Sequence, residues 1–448
     1  MNRRAPINVF QKLMRRWDAV HPYNAGQFLR ISGEPVAGDW CAAWKRALES
    51  TGLGAVSATG GKYGFVSPAV EDRCPLSIST GWFDAAVTEK LNGPFDGPGE
   101  LPFRPMLVAG GGEYHIGVIY QHWLADSAAI RMLMREWFFN AVDPKSARKS
   151  PLKLPKRGYW NTLGPGRCAA SFFGSVLDLT RRHTRLRKVQ KIASDALADT
   201  ATRYLSIETR PGLIDDLRAA SKRSGVKVND VFLAALTGTC ARHVPLQRRA
   251  NRTDVAVGSV VDLRPHCRRD LSDTFGLYLG FTNVVCQERE LRSFDTILKA
   301  VARQTRHQKK NGVAPASLMW MSAALVVGTL SKPGELYHFY RKEMPLAGGI
   351  SNVDLSKDWP ADHYPGLVTD YVRVSPTGPM TPLVFTTTTL GDRFNLGMTH
   401  RTGLISPDLA AVIAGTFVRL LEEFCQSSAG AAQLSVAGQA AAHAGALP

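Results

Sequence analysis

A chain of 448 residues with 44% hydrophobic and 21% charged residues has the composition of a folded globular protein and the length of about two domains. Aromatic residues at 9%, with glycine and proline scattered without a period, exclude collagenous, coiled-coil and largely disordered chains. Fifty-five Lys and Arg against 38 Asp and Glu leave +17, which calls for an anionic partner and leaves nucleic acid, membrane, phosphorylated cofactor and acidic protein all open.

The seven cysteines are odd in number and contain no C-x-x-C pair. Neither a zinc site nor a disulfide framework is expected, and a reducing cytoplasm is the default. The basic N-terminus reaches Lys12, Arg15 and Arg16 before any uninterrupted apolar stretch, so no signal peptide is read. The most apolar run, residues 318–330, falls short of the roughly 18 to 20 residues that span a bilayer and reads as a buried helix.

In chain order, residues 27–32 and 104–109 read as short strands and 36–53 as a helix. Residues 113–121 alternate, with Tyr114, Ile116, Val118 and Tyr120 on one face, which is a strand by period. Ile130, Leu133, Met134, Trp137 and Phe138 then repeat at helical spacing and predict a helix that buries one side. The run Gly110-Gly111-Gly112 lacks a phosphate loop's lysine and reads as a turn.

Residues 141–191 hold 13 Lys and Arg against only Asp143 and Asp178, and are broken by Ser150-Pro151, Leu154-Pro155 and Gly164-Pro165-Gly166. They read as a long basic connection, ending in a basic amphipathic helix over residues 179–193 that carries Arg181, Arg182 and Arg185. The main boundary falls near residue 195.

Beyond it come a strand at 204–208, a helix with Pro211 near its start, a helix opened by Asn229-Asp230, and strands at 255–261 and 278–285. Helices follow over 293–308 and 316–330, then a hairpin of 382–390 and 393–399 around Gly391-Asp392, and a closing helix at 407–424. This gives an α/β (α+β) chain in two similar halves: a lobe at 1–140, the connection at 141–195, a lobe at 196–425, and an irregular, disordered Ala/Gly-rich tail at 426–448.

A histidine at a strand end followed four residues later by an aspartate at a helix start suits general-base work, since the strand end fixes the imidazole and the turn holds the carboxylate. His122 and Asp126 have that placement; His266 and Asp270 repeat the spacing in a polar loop without the strand-turn-helix frame. The spacing by itself is unspecific.

Gln121-His122-Trp123-Leu124-Ala125-Asp126-Ser127 resembles the H-H-x-x-x-D-G motif of the condensation-domain and wax ester synthase group, within the chloramphenicol acetyltransferase-like acyltransferases. Val261-Asp262-Leu263-Arg264-Pro265 with Phe275-Gly276 looks like that group's arginine-bearing strand end and "FG" segment. Ile350-Ser351-Asn352-Val353 resembles its "SN" element, and the helix from Asn229-Asp230 its early second-lobe helix. The order of these segments agrees over roughly residues 10–425.

The resemblance implies two chloramphenicol acetyltransferase-like lobes enclosing an active-site tunnel, with no metal and no tightly bound cofactor. A coenzyme A or phosphopantetheine-linked acyl thioester would be the donor substrate, and an alcohol or amine the acceptor. His122 would act as general base without an acyl-enzyme, and Asp126 would pair with Arg264 as architecture. Gln121 and Ser127, which stand where the family has its first histidine and closing glycine, would support the site together with Asp126 and Arg264. Ser351, Asn352 and Gly276 are the tunnel candidates.

The expected partner is acyl-CoA or an acyl or peptidyl carrier protein docking at Arg181, Arg182 and Arg185, whose charge complements phosphates or an acidic carrier. No zinc finger or helix-turn-helix context surrounds the basic segment, so nucleic acid is not expected. Two other readings stand beside this one: a non-catalytic condensation-like module that binds a carrier within a biosynthetic assembly, and contact with the inner membrane face through residues 179–193. His400, Cys267, Cys286, Trp137 and Trp160 read as structural.

Overall fold

The computed structural model describes residues 4–66, 76–95, 100–158, 162–164, 184–193, 201–330, 332–356, 359, 364, 366–377 and 381–444. The first lobe runs β1 (Arg4–Pro6), α1 (Val9–Asp18), β2 (Asn24–Ser32), α2 (Ala37–Thr51), β3 (Ala55–Thr59), β4 (Lys62–Val66), β5 (Ser77–Ser79), α3 (Phe83–Asn92), β6 (Phe103–Gly110), β7 (Glu113–Gln121) and α4 (Ser127–Val142). The second begins with β8 (Lys191–Ile192), β9 (Thr202–Ile207), α5 (Leu213–Arg223), α6 (Val228–His243), β10 (Leu246–Gln247), β11 (Val255–Asp262) and β12 (Leu279–Cys286). It continues with α7 (Phe294–Lys310), α8 (Val313–Leu330), α9 (Pro333–Glu343), β13 (Gly348–Asp354), β14 (Val368–Val374), β15 (Leu383–Leu390), β16 (Arg393–Arg401) and α10 (Pro407–Ala444).

The alternating segment at 113–121 lies inside a five-stranded sheet of order β14-β2-β7-β6-β5. β6 and β7 join through Gly111 and Gly112, whose φ of 69° and 76° make the expected turn. The helical repeat after β7 buries Ile130, Leu133, Met134, Trp137 and Phe138 completely, and Trp137 Nε1 donates to the Trp40 carbonyl at 2.9 Å. The second sheet has order β12-β11-β13-β15-β16-β9, with β11, β13 and β15 parallel and the β15–β16 hairpin turning at Gly391.

Several expectations need correction. The division at residue 195 does not separate two closed units, because β14, from the second half, pairs antiparallel with β2 in the first sheet, placing Arg373 opposite Gln27. A sheet edge left by the first half is completed by the second. The helix expected over 179–193 is not formed in its described part: residues 184–186 make one turn, Val189 bridges Asp254, and Lys191–Ile192 pair with β10. The apolar residues fit a helical period, but Val189 is used in a bridge and the neighbouring Ile192 in a strand, so tertiary pairing overrides local pattern. The closing helix runs to Ala444, past the expected end near 424, in keeping with alanine's high helix propensity.

Cys41 is disulfide-bonded, its partner lying outside the described residues, whereas no disulfide was expected; Cys240, Cys267, Cys286 and Cys425 are free. Among the described residues no helix is long and apolar enough to cross a membrane, and no group of His, Cys, Asp and Glu could hold a metal.

Candidate active site

β7 approaches β2 so closely that a Cβ on Gly117 would lie 2.2 Å from the Gln27 carbonyl oxygen, so glycine lets the two strands stay in register up to the site. One residue past the strand end, the His122 N–H donates to the Tyr23 carbonyl at 3.2 Å. The imidazole stacks on Tyr23 with centroids 5.6 Å apart and takes Tyr120 edge-on at 5.9 Å. His122 Nδ1 lies 3.1 Å from the Ala125 carbonyl oxygen. A carbonyl only accepts, so Nδ1 carries the proton and the Nε2 lone pair is left available.

The ring lines a cavity of about 320 Å³ walled by both lobes: Tyr120, His122 and Ser127 from the first, Asp262, Ser351 and Asn352 from the second. Burial pushes the His122 pKa down to about 4, helped by the Arg373 charge and opposed by the Ala125 hydrogen bond and the Asp126 charge. The neutral form therefore prevails throughout the physiological range. For a reaction that uses His122 as base, kcat/KM should stay level from pH 8 down to roughly 5 and fall only as pH drops through about 4. A pH–rate profile checks this, and a fall centred near the ordinary histidine value of about 6.5 contradicts it.

Asp126 caps α4, accepting from Ala129 N–H at 2.9 Å through Oδ1. Its Oδ2 accepts from Arg264 Nη1 at 2.5 Å and from the Tyr278 N–H at 2.7 Å. Asp126 is buried and the Arg264 side chain is only 10% exposed, and the pair ties the start of α4 to the segment just past β11 in the other lobe. Arg264 also reaches the Gly276 carbonyl at 3.3 Å, and the Asp126 N–H donates to the same oxygen at 3.2 Å. No hydrogen bond runs from Asp126 to His122: the carboxylate is taken up by Ala129, Arg264 and Tyr278, and the ring's Nδ1 by the Ala125 carbonyl.

Ser127 stands where the motif has glycine, and it occupies the first turn position of α4 after the Asp126 cap, so its backbone is right-handed helical and has no need of glycine. Gln121 ends β7 and is not among the residues lining the cavity. Gln121→His should accordingly change kcat/KM by no more than about twofold, as expected of a replacement outside the site. Steady-state kinetics on that variant read it directly.

Ser351 and Asn352 line the cavity, while Gly276 does not and serves the Asp126–Arg264 clamp instead. Arg185 is exposed and lies off the cavity wall; Arg181, Arg182 and Trp160 fall outside the described residues. The positive charge that does gather in space draws on separate segments: Lys191 sits among Arg252, Arg341, Arg249 and Lys342, and burial together with these charges lowers its pKa. His400 is buried in β16, and burial lowers its pKa too.

Sequence reading missed Tyr23, Gln27 and Arg373 in the cavity wall. Tyr23 and Gln27 come from a segment read only as an ordinary strand and its approach. Arg373 sits on β14, which the sequence does not signal because Asp370 and Arg373 interrupt its apolar positions.

The condensation-domain family model matches residues 85–325, more than half of the 448 residues. No curated protein sequence matches the chain significantly. Among solved structures, the first condensation domain of the calcium-dependent antibiotic synthetase, in complex with a substrate analogue, is similar at TM-score 0.67 and 16% identity, covering 94% of this chain and 96% of that one. The trichothecene 15-O-acetyltransferase of Fusarium sporotrichioides is similar at TM-score 0.65 and 12% identity, covering 94% and 95%. The X-domain from teicoplanin biosynthesis is similar at TM-score 0.58 and 16% identity, covering 95% and 96%. These likenesses establish the two-lobed chloramphenicol acetyltransferase-like fold. With the family model matching from α3 through most of α8, a stretch that includes His122, Asp126 and Arg264, the chain belongs to the condensation-domain family.

Proposed function

We propose that the protein transfers an acyl group from a thioester, carried by coenzyme A or a carrier protein, to a hydroxyl or amine acceptor. The observation that carries this reading is the fixed tautomer of His122: Nδ1–H is held by the Ala125 carbonyl, and the Nε2 lone pair is left to a ring that lines the cavity between the lobes. Nε2 takes the proton of the acceptor O–H or N–H as its oxygen or nitrogen attacks the thioester carbonyl. Collapse of the tetrahedral intermediate breaks the C–S bond, and the imidazolium returns that proton to the departing thiolate, releasing thiol and ester or amide. Holding the two substrates together is itself a large part of the catalysis.

The donor's phosphates, or an acidic carrier, complement the basic cluster around Lys191, Arg249, Arg252 and Arg341. Incubating the protein with acyl-CoA and acyl-loaded carrier against a panel of alcohols and amines tests the reading. Product is expected with at least one pair, and intact mass should show no acylated protein. Carrier binding without product from any pair would favour the alternative, a condensation-like module that binds a carrier without turning over.

A further inference from the structure

The charges lining the cavity are unequally matched. Asp126 has Arg264 at 2.5 Å, Asp262 has the same arginine at 3.7 Å, and Asp354 has Arg218 at 3.4 Å. Arg373, only 5% exposed, has no carboxylate against it among the described residues. Its Nε donates to Ser127 Oγ at 3.0 Å and its Nη2 to Ser351 Oγ at 2.6 Å, while Nη1 reaches the carbonyls of Thr387 at 3.3 Å and Ser351 at 3.5 Å. All four partners are neutral. A buried guanidinium solvated only by neutral oxygens is costly until an anion joins it.

The two serines show where that anion belongs. Ser127 Oγ accepts from Gln27 Nε2, Arg131 and Arg373, and Ser351 Oγ accepts from Arg373, but neither hydroxyl donates to any described atom. Each therefore keeps an O–H to give, and one Nη2 hydrogen of Arg373 remains as well. All three side chains line the cavity that His122 lines. We propose that Arg373, Ser127 and Ser351 form a carboxylate-binding subsite, so that one of the two substrates entering the cavity carries a free carboxylate. The remaining Arg373 N–H and the two hydroxyls suit the two oxygens of a carboxylate, and Arg131, which lines the same cavity and donates to Ser127 Oγ at 3.3 Å, adds to the positive field there. Burial, with the nearby Arg131, already lowers the Arg373 pKa to about 10, a strain that an anion relieves.

The proposal rests on the acyl-transfer reading only for what the bound molecule does next, so it is tested by binding rather than turnover. Isothermal titration of the wild-type protein at constant ionic strength would compare 3-hydroxybutyrate with 3-hydroxybutyramide as acceptor mimics, N-propylglutaramate with N-propylglutaramide as acyl mimics, and inorganic phosphate. At least one carboxylate should bind roughly tenfold or more tightly than its amide, as a charge-assisted bond implies. Preference within the hydroxy acid pair assigns the subsite to the acceptor, and within the glutaramate pair to the donor. Arg373→Met should remove the preference and Arg373→Lys should keep part of it. Equal binding of each acid and its amide by the wild type, tighter binding of phosphate than of either acid, or an undiminished preference in Arg373→Met would overturn the proposal. Turnover without a carboxylate preference sinks this proposal alone, and a carboxylate preference without turnover sinks only the acyl-transfer reading.

Discussion

His122→Ala is expected to lower kcat by about a hundred- to ten-thousandfold, the usual contribution of a positioned general base. KM and the melting temperature should move little. The ring packs on Tyr23 and Tyr120 at the cavity wall, and its removal enlarges an existing space rather than opening a void in a closed core. His122→Gln is the sharper comparison: it can keep a hydrogen bond toward the Ala125 carbonyl and much of the volume, yet supplies no basic nitrogen. Both variants should lose turnover alike while binding donor as the wild type does, which separates loss of a base from loss of a binding surface. Kinetics and donor titration on the two variants, with thermal melts as the folding control, check each part.

The second large effect is on stability. Asp126→Ala removes the acceptor for Ala129, Tyr278 and Arg264 together, and Arg264→Met leaves a buried carboxylate with no cation. Breaking a buried pair from either side costs about 3 to 5 kcal/mol. Each single variant should therefore show a clearly lower denaturant midpoint and reduced soluble yield. The double variant should be less damaged than the sum of the singles, because the second removal strips out a charge already left unpaired. Purely additive losses would mean that the two residues are not coupled. Any fraction that folds should turn over far better than His122→Ala, since Asp126 makes no hydrogen bond to the imidazole.

What could be read from sequence followed the range of the interactions. His122, Asp126 and the strand and helix that hold them lie within one short stretch, where period and capping decide the local structure. Arg264 was found only through the ordered resemblance of distant segments, because an ion pair spanning 138 residues leaves no local trace. β14 and Arg373 were missed for the same reason: the strand exists because β2 offers it an edge, and its own residues give a weak alternating pattern. The basic stretch at 141–191 misled in the opposite direction. Its charge count is real, but Lys191 finds its positive neighbours at Arg249, Arg252, Arg341 and Lys342, and the chain at 189–192 is drawn into pairing with Asp254 and β10 instead of forming a helix.

The cavity joins these observations. Its imidazole comes from the first lobe, the serine hydroxyls come from both, and Arg373 arrives on a strand that the second half lends to the first. Under the proposed reaction, lobe association and chemistry fall to separate residues: the Asp126–Arg264 pair joins the lobes, and His122 is free to act as base.

The central claim is direct, His122-assisted transfer from thioester to acceptor. Thiol release by the wild-type protein and by His122→Gln, each with and without acceptor, tests it most directly. The account predicts release that depends on acceptor, matches product one for one, and drops at least a hundredfold or so in the variant. Equal acceptor-dependent release from both proteins, or a burst of thiol without acceptor, would contradict it.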